Sequence, residues 1–576
     1  MTERVIAHLG DPGHAVWAGT FHAIGARLLR SYAHFFGYES DFSIVGPRDA
    51  QRLFSSATQD VPVPEHIKLE DVLSCYSLSL NADRDLSEVV DSSRRLKVSD
   101  LAWIDHLIDL YISAKMTQQV MDYDDLLTYW YLLLGQDGPR EELISSFDAV
   151  LVDEYQDVCP LQARIVDAMA RDHGNLTVVG DDCQAIYGFR GADIGAILGF
   201  GERYPDASLM HLQTNYRSSP EIVALANRSI SHNRAQYSKT LMSARGSGPK
   251  PTLVDASDAE QVAQFVAHRV LALRAEGVPL MEQAVLYRTH SQARVIQLEL
   301  QRQGVPFTVR SGVRVFDRPH VRTLLALCRA QVNPWDHNAW RDVVETFDGL
   351  GPVAADHILG ILLNEPDPWL ALVERDIRED LPARFRGDWA SARTLLTEVR
   401  QAAVHGVSRQ MAIYCDRVLA PRLRRDFTED AEERIADLES LCRAASGFET
   451  TSQFMDALTL SEGLKEKDEP DDSVVLSTVH RAKGLEWASV FLVGLYEGGF
   501  PLWSYDDRGE NLDEERRLFY VAVTRATRWL YLCHPWSDQA NGQSKSLSTS
   551  RFIDELGSGM LDHWRLDQSE KSGDLK

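Results

Sequence analysis

At 576 residues the chain is too long to close around one hydrophobic core, and domain-size scaling predicts about three or four folded units. A composition of 44% hydrophobic and 25% charged residues is that of an ordinary globular protein, and no apolar run approaches the length of a membrane span, so no membrane partner is expected. The formal net charge of −25 argues only mildly against polyanion binding, because a nucleic-acid groove depends on its local field rather than on the total. The opening MTERVIAHLG lacks the design of a secretory leader, and the seven cysteines include no C-x-x-C pair and no Cys/His cluster at zinc spacing. Reduced thiols in a cytoplasmic protein are the expectation.

In chain order, residues 43–139 read mostly as helix, with LAWIDHLIDLYISAKM and DYDDLLTYWYLLLG placing apolar residues at helical spacing. AVLVDEYQDV (Ala149–Val158) then runs an apolar strand straight into Asp153, Glu154 and Asp157. NLTVVGDDCQAIYG repeats the pattern with a strand near Leu176–Val179, and a further strand is expected at Leu209–Leu212. Ala284–Tyr287 reads as a strand, followed by a helix that Ser291 would cap and Gly304 would end, and by a strand at Val305–Val309. Residues 333–468 read as a second helical region closed by the acidic linker EKDEPDDS. Strands at Ser473–His480 and Ser489–Leu495, a helix over Leu512–Ala526 and a strand at Trp529–Cys533 follow, and the polar tail after Gly557 is expected to fray. Such alternation indicates an α/β protein with parallel sheets, built as two lobes that are each interrupted by a mainly helical insertion.

The chemistry gathers in a few of these segments. An acidic pair at a strand end, Asp153-Glu154, suits a metal-bound phosphate, although such pairs often only cap the next helix. In LDEERRLFYVAVTRA, Leu518, Val521, Ala522 and Arg525 share one helical face, which sets a guanidinium on an apolar stripe. It needs an anion there, either a structural carboxylate or a phosphate held by its planar fork of donors. LQTNYRSSPEIV puts Tyr216 beside Arg217, with Ser218 as the plainer helix cap. In VVGDDCQAIYGFRGA, Gln184, Tyr187, Phe189 and Arg190 fall within seven residues, a spacing that suits either core packing or a stacking platform for single-stranded bases.

Together TFHAIGARLLR, LVDEYQD, VVGDDCQAIYGFRGA, QTNYRSSPEIV, STVHRAKGLEWASVFLVGLYEGGFP and EERRLFYVAVTRA occur in the order, and at about the spacing, found in the UvrD/Rep/PcrA family of superfamily 1 DNA helicases. The resemblance runs from Trp17 to Ile553. It implies two RecA-like lobes of the P-loop NTPase type, the first over 1–42 and 140–212 and the second over 213–332 and 470–556. Helical insertions at 43–139 and 333–469, and a tail at 557–576, complete that layout. It implies ATP and Mg²⁺ as cofactors and single-stranded DNA and single/double-strand junctions as partners. The implied reaction is ATP-dependent movement 3′ to 5′ along one strand, with duplex unwinding, in DNA repair or replication.

Residue by residue, the resemblance makes Asp153 the Mg²⁺ ligand and Glu154 the base that deprotonates the attacking water. Gln184 becomes the γ-phosphate sensor, and Arg217 and Arg525 neutralise charge on the transferring phosphoryl group. Tyr216 corresponds to the adenine-stacking residue and Glu486 to the ribose contact. Thr20, His22, Tyr187, Phe189 and His480 match positions along the single-stranded DNA groove, with Phe189 standing where many relatives carry Trp. The plainer account of His22 and His480 is that of satisfied core histidines. GLGPVAADHIL (Gly349–Leu359) resembles a helix-hairpin-helix turn suited to duplex phosphates.

One part of the family pattern is not spelled out. G-x-x-x-x-G-K-[ST] occurs nowhere in the sequence, and only 19 residues precede Thr20, so the first lobe is expected to lack its first strand, phosphate loop and adenine-reading glutamine. Three readings stay open: an active helicase whose start lies further upstream, a non-hydrolysing DNA-binding remnant, and a subunit whose phosphate loop comes from a separate chain.

Overall fold

The computed structural model describes residues 16–64, 67–93, 95–310, 318–426, 431–460, 472–502, 510–540, 543–557 and 559–566. The chain divides into two compact units: residues 1–150, 160–176 and 313–465 make one, and 151–159, 177–312 and 466–576 the other. The linker EKDEPDDS falls mostly, and the last ten residues wholly, outside the described residues.

The first unit is helical. Leu101–Thr117 and Tyr123–Leu133 take shape where the sequence puts apolar residues at helical spacing, and Pro319–Val332 begins a run of helices that continues to Leu460. Trp340, Trp369 and Trp389 are sealed in the core of that run. Asp49 joins this region to the earlier helices by ion pairs with Arg322 (3.0 Å) and Arg329. Within the earlier helices Lys115 has no exposed side-chain surface. Its Nζ reaches Asp122 Oδ2 at 2.8 Å and Asp125 Oδ1 at 2.7 Å, and Tyr111 Oη also donates to Asp122 Oδ2. The same two carboxylates cap the helix Tyr123–Leu133 reciprocally: Asp122 accepts from the backbone of Asp125, and Asp125 from that of Asp122.

The second unit is built on a seven-stranded, wholly parallel sheet. Its strands lie in the spatial order Asp562–Arg565, Thr252–Ala256, Ala526–Pro535, Trp487–Leu492, Gln283–Tyr287, Val474–Thr478 and Phe307–Arg310. Both faces are covered, which explains why these strands read as unbroken apolar runs. Leu253, Ala284, Leu286, Val475, Val490 and Leu532 point to one face, against Ile222, Leu225, Leu518 and Val521. Val254, Val285, Tyr287, Leu476, Phe491 and Tyr531 point to the other, against Phe265, Val266, Ile296 and Leu300. Successive residues alternate between the two clusters, as the period-two pleat requires.

Several sequence expectations shift. Thr289 rather than Ser291 is the N-cap of the helix His290–Arg302, because Gln292 Oε1 reaches back to the Thr289 N–H. The helix expected over Leu512–Ala526 is Glu510–Val523, and Arg525 follows it instead of standing on its stripe. Ser219 precedes the helix Pro220–Ile230, while Ser218 Oγ donates to Ala526 O. Leu209–Leu212 form no strand, and Leu209, Met210 and Leu212 are strongly exposed, because nothing among the described residues completes a ladder beside them. The tail does not simply fray: Asp562–Arg565 add a strand to the sheet edge, anchored by Trp564 against the rings of Phe265 and Tyr531. None of the seven cysteines is joined in a disulfide. Among the described residues no helix is long and apolar enough to cross a membrane.

Candidate functional site

Within the second unit, Val179 N donates to Val152 O and Tyr155 N donates to Val179 O, so two loops lie side by side. The first turns sharply at Glu154, whose φ of 51° is uncommon for any residue with a side chain and concentrates at functional positions. Its N–H donates to Asp153 Oδ1 at 3.0 Å, and the loop is footed by the buried Tyr155, whose hydroxyl accepts from Arg203 Nη2. The second loop begins at Gly180, where an added Cβ would come within 2.5 Å of Gln156 Oε1. Glycine therefore permits the close approach that lets Asp181 N donate to that same oxygen at 2.9 Å.

Lys483 joins the two loops. Its Nζ pairs with Asp157, lies 3.4 Å from Glu154 Oε2 and donates to Gln184 O at 3.0 Å. Burial pushes the Asp157 carboxyl up, and the Lys483 charge works against that rise. Sequence reasoning did not single out Lys483, although it stands three residues after His480 in TVHRAKGLEW. On its other side Gln184 Oε1 faces Arg525 Nη2 at 3.5 Å. Arg525 is sealed from solvent and donates to Leu485 O and Val521 O at 3.0 Å each. Burial first, and Arg217 second, bring its pKa down to about 10, so it remains a cation at neutral pH.

Arg217 Nε donates to Glu486 Oε2 at 2.5 Å, and the ring of Tyr216 stands open to solvent. Asp153 presents an exposed carboxylate, a hard oxygen donor of the kind that suits Mg²⁺. Two guanidinium groups, an amide and exposed carboxylates are groups of the kind that phosphoryl transfer to water uses.

The aromatic residues form a strip next to these groups. Tyr187 Oη donates to His480 O at 3.3 Å, the Phe189 and His480 rings meet edge to face at 5.3 Å, and the Arg190 guanidinium lies 5.5 Å from both the Tyr187 and Phe189 rings. Phe189 is 63% exposed, which leaves a ring face for stacking.

Burial, then Arg288 and Arg190, lower the His480 pKa to about 4, so its imidazole is neutral at physiological pH. A histidine depressed in the folded state binds fewer protons there than when unfolded. Stability is accordingly lost as pH falls from about 6.5 towards 4. Allowing for its partial exposure, lowering pH from 7 to 5 is expected to cost about 1 kcal/mol through His480. Denaturant unfolding of the native chain and of His480→Asn at both pH values checks this, the variant showing the smaller loss.

Thr20 and His22 belong to the other unit. Thr20 Oγ1 accepts from Ala23 N at 3.2 Å and caps the helix Phe21–Tyr32. The His22 ring lies 5.3 Å from that of Tyr123, and burial pushes its pKa down.

An acidic loop, a glutamine–arginine pair and an aromatic strip, held beside a doubly covered parallel sheet, define an α/β protein of the P-loop NTPase class. The chain belongs to the UvrD/Rep helicase family: the model of the UvrD/REP helicase N-terminal domain matches residues 1–205, and that of the UvrD-like helicase C-terminal domain matches residues 210–535. It is similar to the ATP-dependent DNA helicase PcrA of Staphylococcus aureus (strain Mu50 / ATCC 700699), with 29% identity over 98% of this chain and 79% of the relative. The PcrA of Staphylococcus epidermidis (strain ATCC 12228 / FDA PCI 1200) is similar to the same extent.

Proposed function

We propose that this chain is an ATP-dependent DNA helicase that translocates 3′ to 5′ on single-stranded DNA and opens duplexes at junctions. The observation that carries the reading is one run of contacts within the second unit, from Phe189 and His480 through Tyr187 and Lys483 to Gln184, Glu154 and Arg525. A base-stacking strip and a phosphate-handling cluster thus share side chains. Support also comes from the similar proteins, which are named as ATP-dependent DNA helicases.

In this reading Glu154 takes the proton of the attacking water, and Gln184 reports the γ-phosphate to the aromatic loop three residues further on. Arg217 and Arg525 offset charge as it develops in the transition state. Asp153 would hold Mg²⁺, which when bound neutralises phosphate charge. Tyr216 stacks on adenine, and Glu486 exchanges Arg217 for the ribose. Thr20, His22, Tyr187, Phe189 and His480 line the strand track. The lobes are taken as 1–42 with 140–212 and 213–332 with 470–556, and the insertions as 43–139 and 333–469.

Unwinding of partial duplexes tests this directly: a 3′ single-stranded tail should support strand separation with ATP, and a 5′ tail should not. Equal activity on both tails removes the polarity. Phe189→Ala is expected to weaken single-stranded DNA binding about tenfold, the loss of one stacked base, as read by fluorescence anisotropy at fixed salt.

A second reading concerns the phosphate loop, which no stretch of residues 1–576 spells as G-x-x-x-x-G-K-[ST]. Leu151 is 76% exposed although it lies in a strand, and Leu212 is 87% exposed. Apolar side chains beside a backbone edge that no strand among the described residues pairs suit the addition of a further strand. We read this edge as the seat of the strand that carries the loop, whether from the same polypeptide or from a separate chain. ATPase activity of residues 1–576 that appears only when a loop-bearing chain is added supports the separate source. DNA binding indifferent to ATP under every condition supports a non-hydrolysing remnant.

A further inference from the structure

The loop that carries Gln184 is held from behind by a lysine. Lys239, mostly buried, donates from Nζ to Oδ1 of Asp181 and to Oδ1 of Asp182. Its own segment is pinned by Tyr237, whose N–H donates to Asp182 Oδ2 and whose hydroxyl donates to Ile197 O. Asp181, Asp182 and Cys183 stand close enough together to resemble a metal site, but the ammonium of Lys239 already supplies the positive charge between the two carboxylates.

The other oxygen of Asp181 faces the nucleotide side. Gln184 Nε2 donates to Asp181 Oδ2 at 2.8 Å, and Gln184 Oε1 faces Arg525 Nη2 at 3.5 Å. A carboxylate on one side and a guanidinium on the other leave the amide one favourable orientation, with nitrogen to the acid and oxygen to the cation. We propose that Lys239 is a positioning residue for the nucleotide site: through Asp181 it fixes the Gln184 amide so that Oε1 is presented to Arg525. This rests on the hydrolytic reading above and adds a residue to it that makes no contact with Gln184 or Arg525.

Burial alone would raise the Asp181 carboxyl, yet it is held below the usual carboxylate range, chiefly by Lys239. The other ionisable groups that interact with Asp181 are Cys183, Tyr520 and Arg525, and Asp182 and Arg517 lie on the same cluster. Without Lys239 the partly buried carboxylate loses its cation. Once protonated, it donates as well as accepts, and the Gln184 amide is free to turn its nitrogen towards Arg525.

DNA-stimulated hydrolysis and crystal structures of Lys239→Met, Lys239→Arg and Asp181→Asn test the inference. Lys239→Met should lower kcat about tenfold while KM for ATP stays within about twofold, and Lys239→Arg should keep at least about half of kcat. Asp181→Asn, which sets an amide nitrogen against one or more of its three former donors, Lys239, Gln184 and the Cys183 N–H, should reproduce the defect and decides the matter if Lys239→Met does not fold. A kcat for Lys239→Met within about twofold of the native value overturns the inference, as does a crystal structure of that variant with Gln184 still bridging Asp181 and Arg525. Absence of DNA-stimulated hydrolysis in the native protein would instead count against the helicase reading, and the Gln184 position in the crystals then decides the role of Lys239.

Discussion

Replacing Glu154 with Gln is expected to lower DNA-stimulated ATP hydrolysis about a thousandfold while leaving ATP and single-stranded DNA affinities within about twofold. The size follows from the proposed role, since the amide cannot accept the proton of the attacking water. The selectivity follows from the surroundings. Glu154 has a 59% exposed side chain, and its contacts are to Gln156 and, at 3.4 Å, to Lys483. A Gln side chain keeps an oxygen for these partners, and the left-handed backbone at φ 51° is unchanged by the swap. Single-turnover hydrolysis with nucleotide and DNA affinities measured in parallel checks the split, and unchanged turnover removes Glu154 from the base role.

Lys115→Met carries the largest expected cost in stability. Met matches the length of the stem but leaves Asp122 and Asp125 buried without their cation, a change in the range of about 3–5 kcal/mol, with a fall of about 10 °C in the unfolding midpoint. Both helix caps at Tyr123 depend on the same carboxylates, so the loss should spread into that helix. In the native unit burial and Asp122 push Asp125 up to about 7, while Lys115 holds Asp122 down against its own burial. In the variant both acids are raised in the folded state. That state then binds the extra protons, and stability is recovered as pH falls from 8 to 6. Thermal unfolding of the variant at those two pH values checks the sign, and a smaller midpoint at pH 6 than at pH 8 contradicts it.

The sheet was readable because its physics is local. Runs such as SVVLS and SVFLV are apolar on both faces, and only a doubly covered parallel strand needs that. The motif residues were readable as types but not always in place: Arg525 was expected on the apolar stripe of the helix, whereas the helix stops at Val523 and the sealed side chain folds back onto Val521 O. Leu209–Leu212 misled for the opposite reason. An apolar stretch has strand propensity on its own, but a strand exists only with a neighbour, and that neighbour is a non-local fact. Lys483 and Lys239 left no trace in periodicity. Each is a single cation whose partner is remote in sequence, Asp157 for the one and Asp181 for the other, and nothing in the neighbouring residues announces the pairing.

The segment after Thr478 bends twice before the next strand begins at Trp487. Val479–Ala482 make one helical turn, and Leu485 N then donates to Ala482 O across a second turn in which Gly484 takes a φ of 83°. His480, Lys483 and Glu486 are thus carried on one short connection whose course depends on a glycine. A side chain at position 484 would strain that bend and redirect the lysine before it and the glutamate after it.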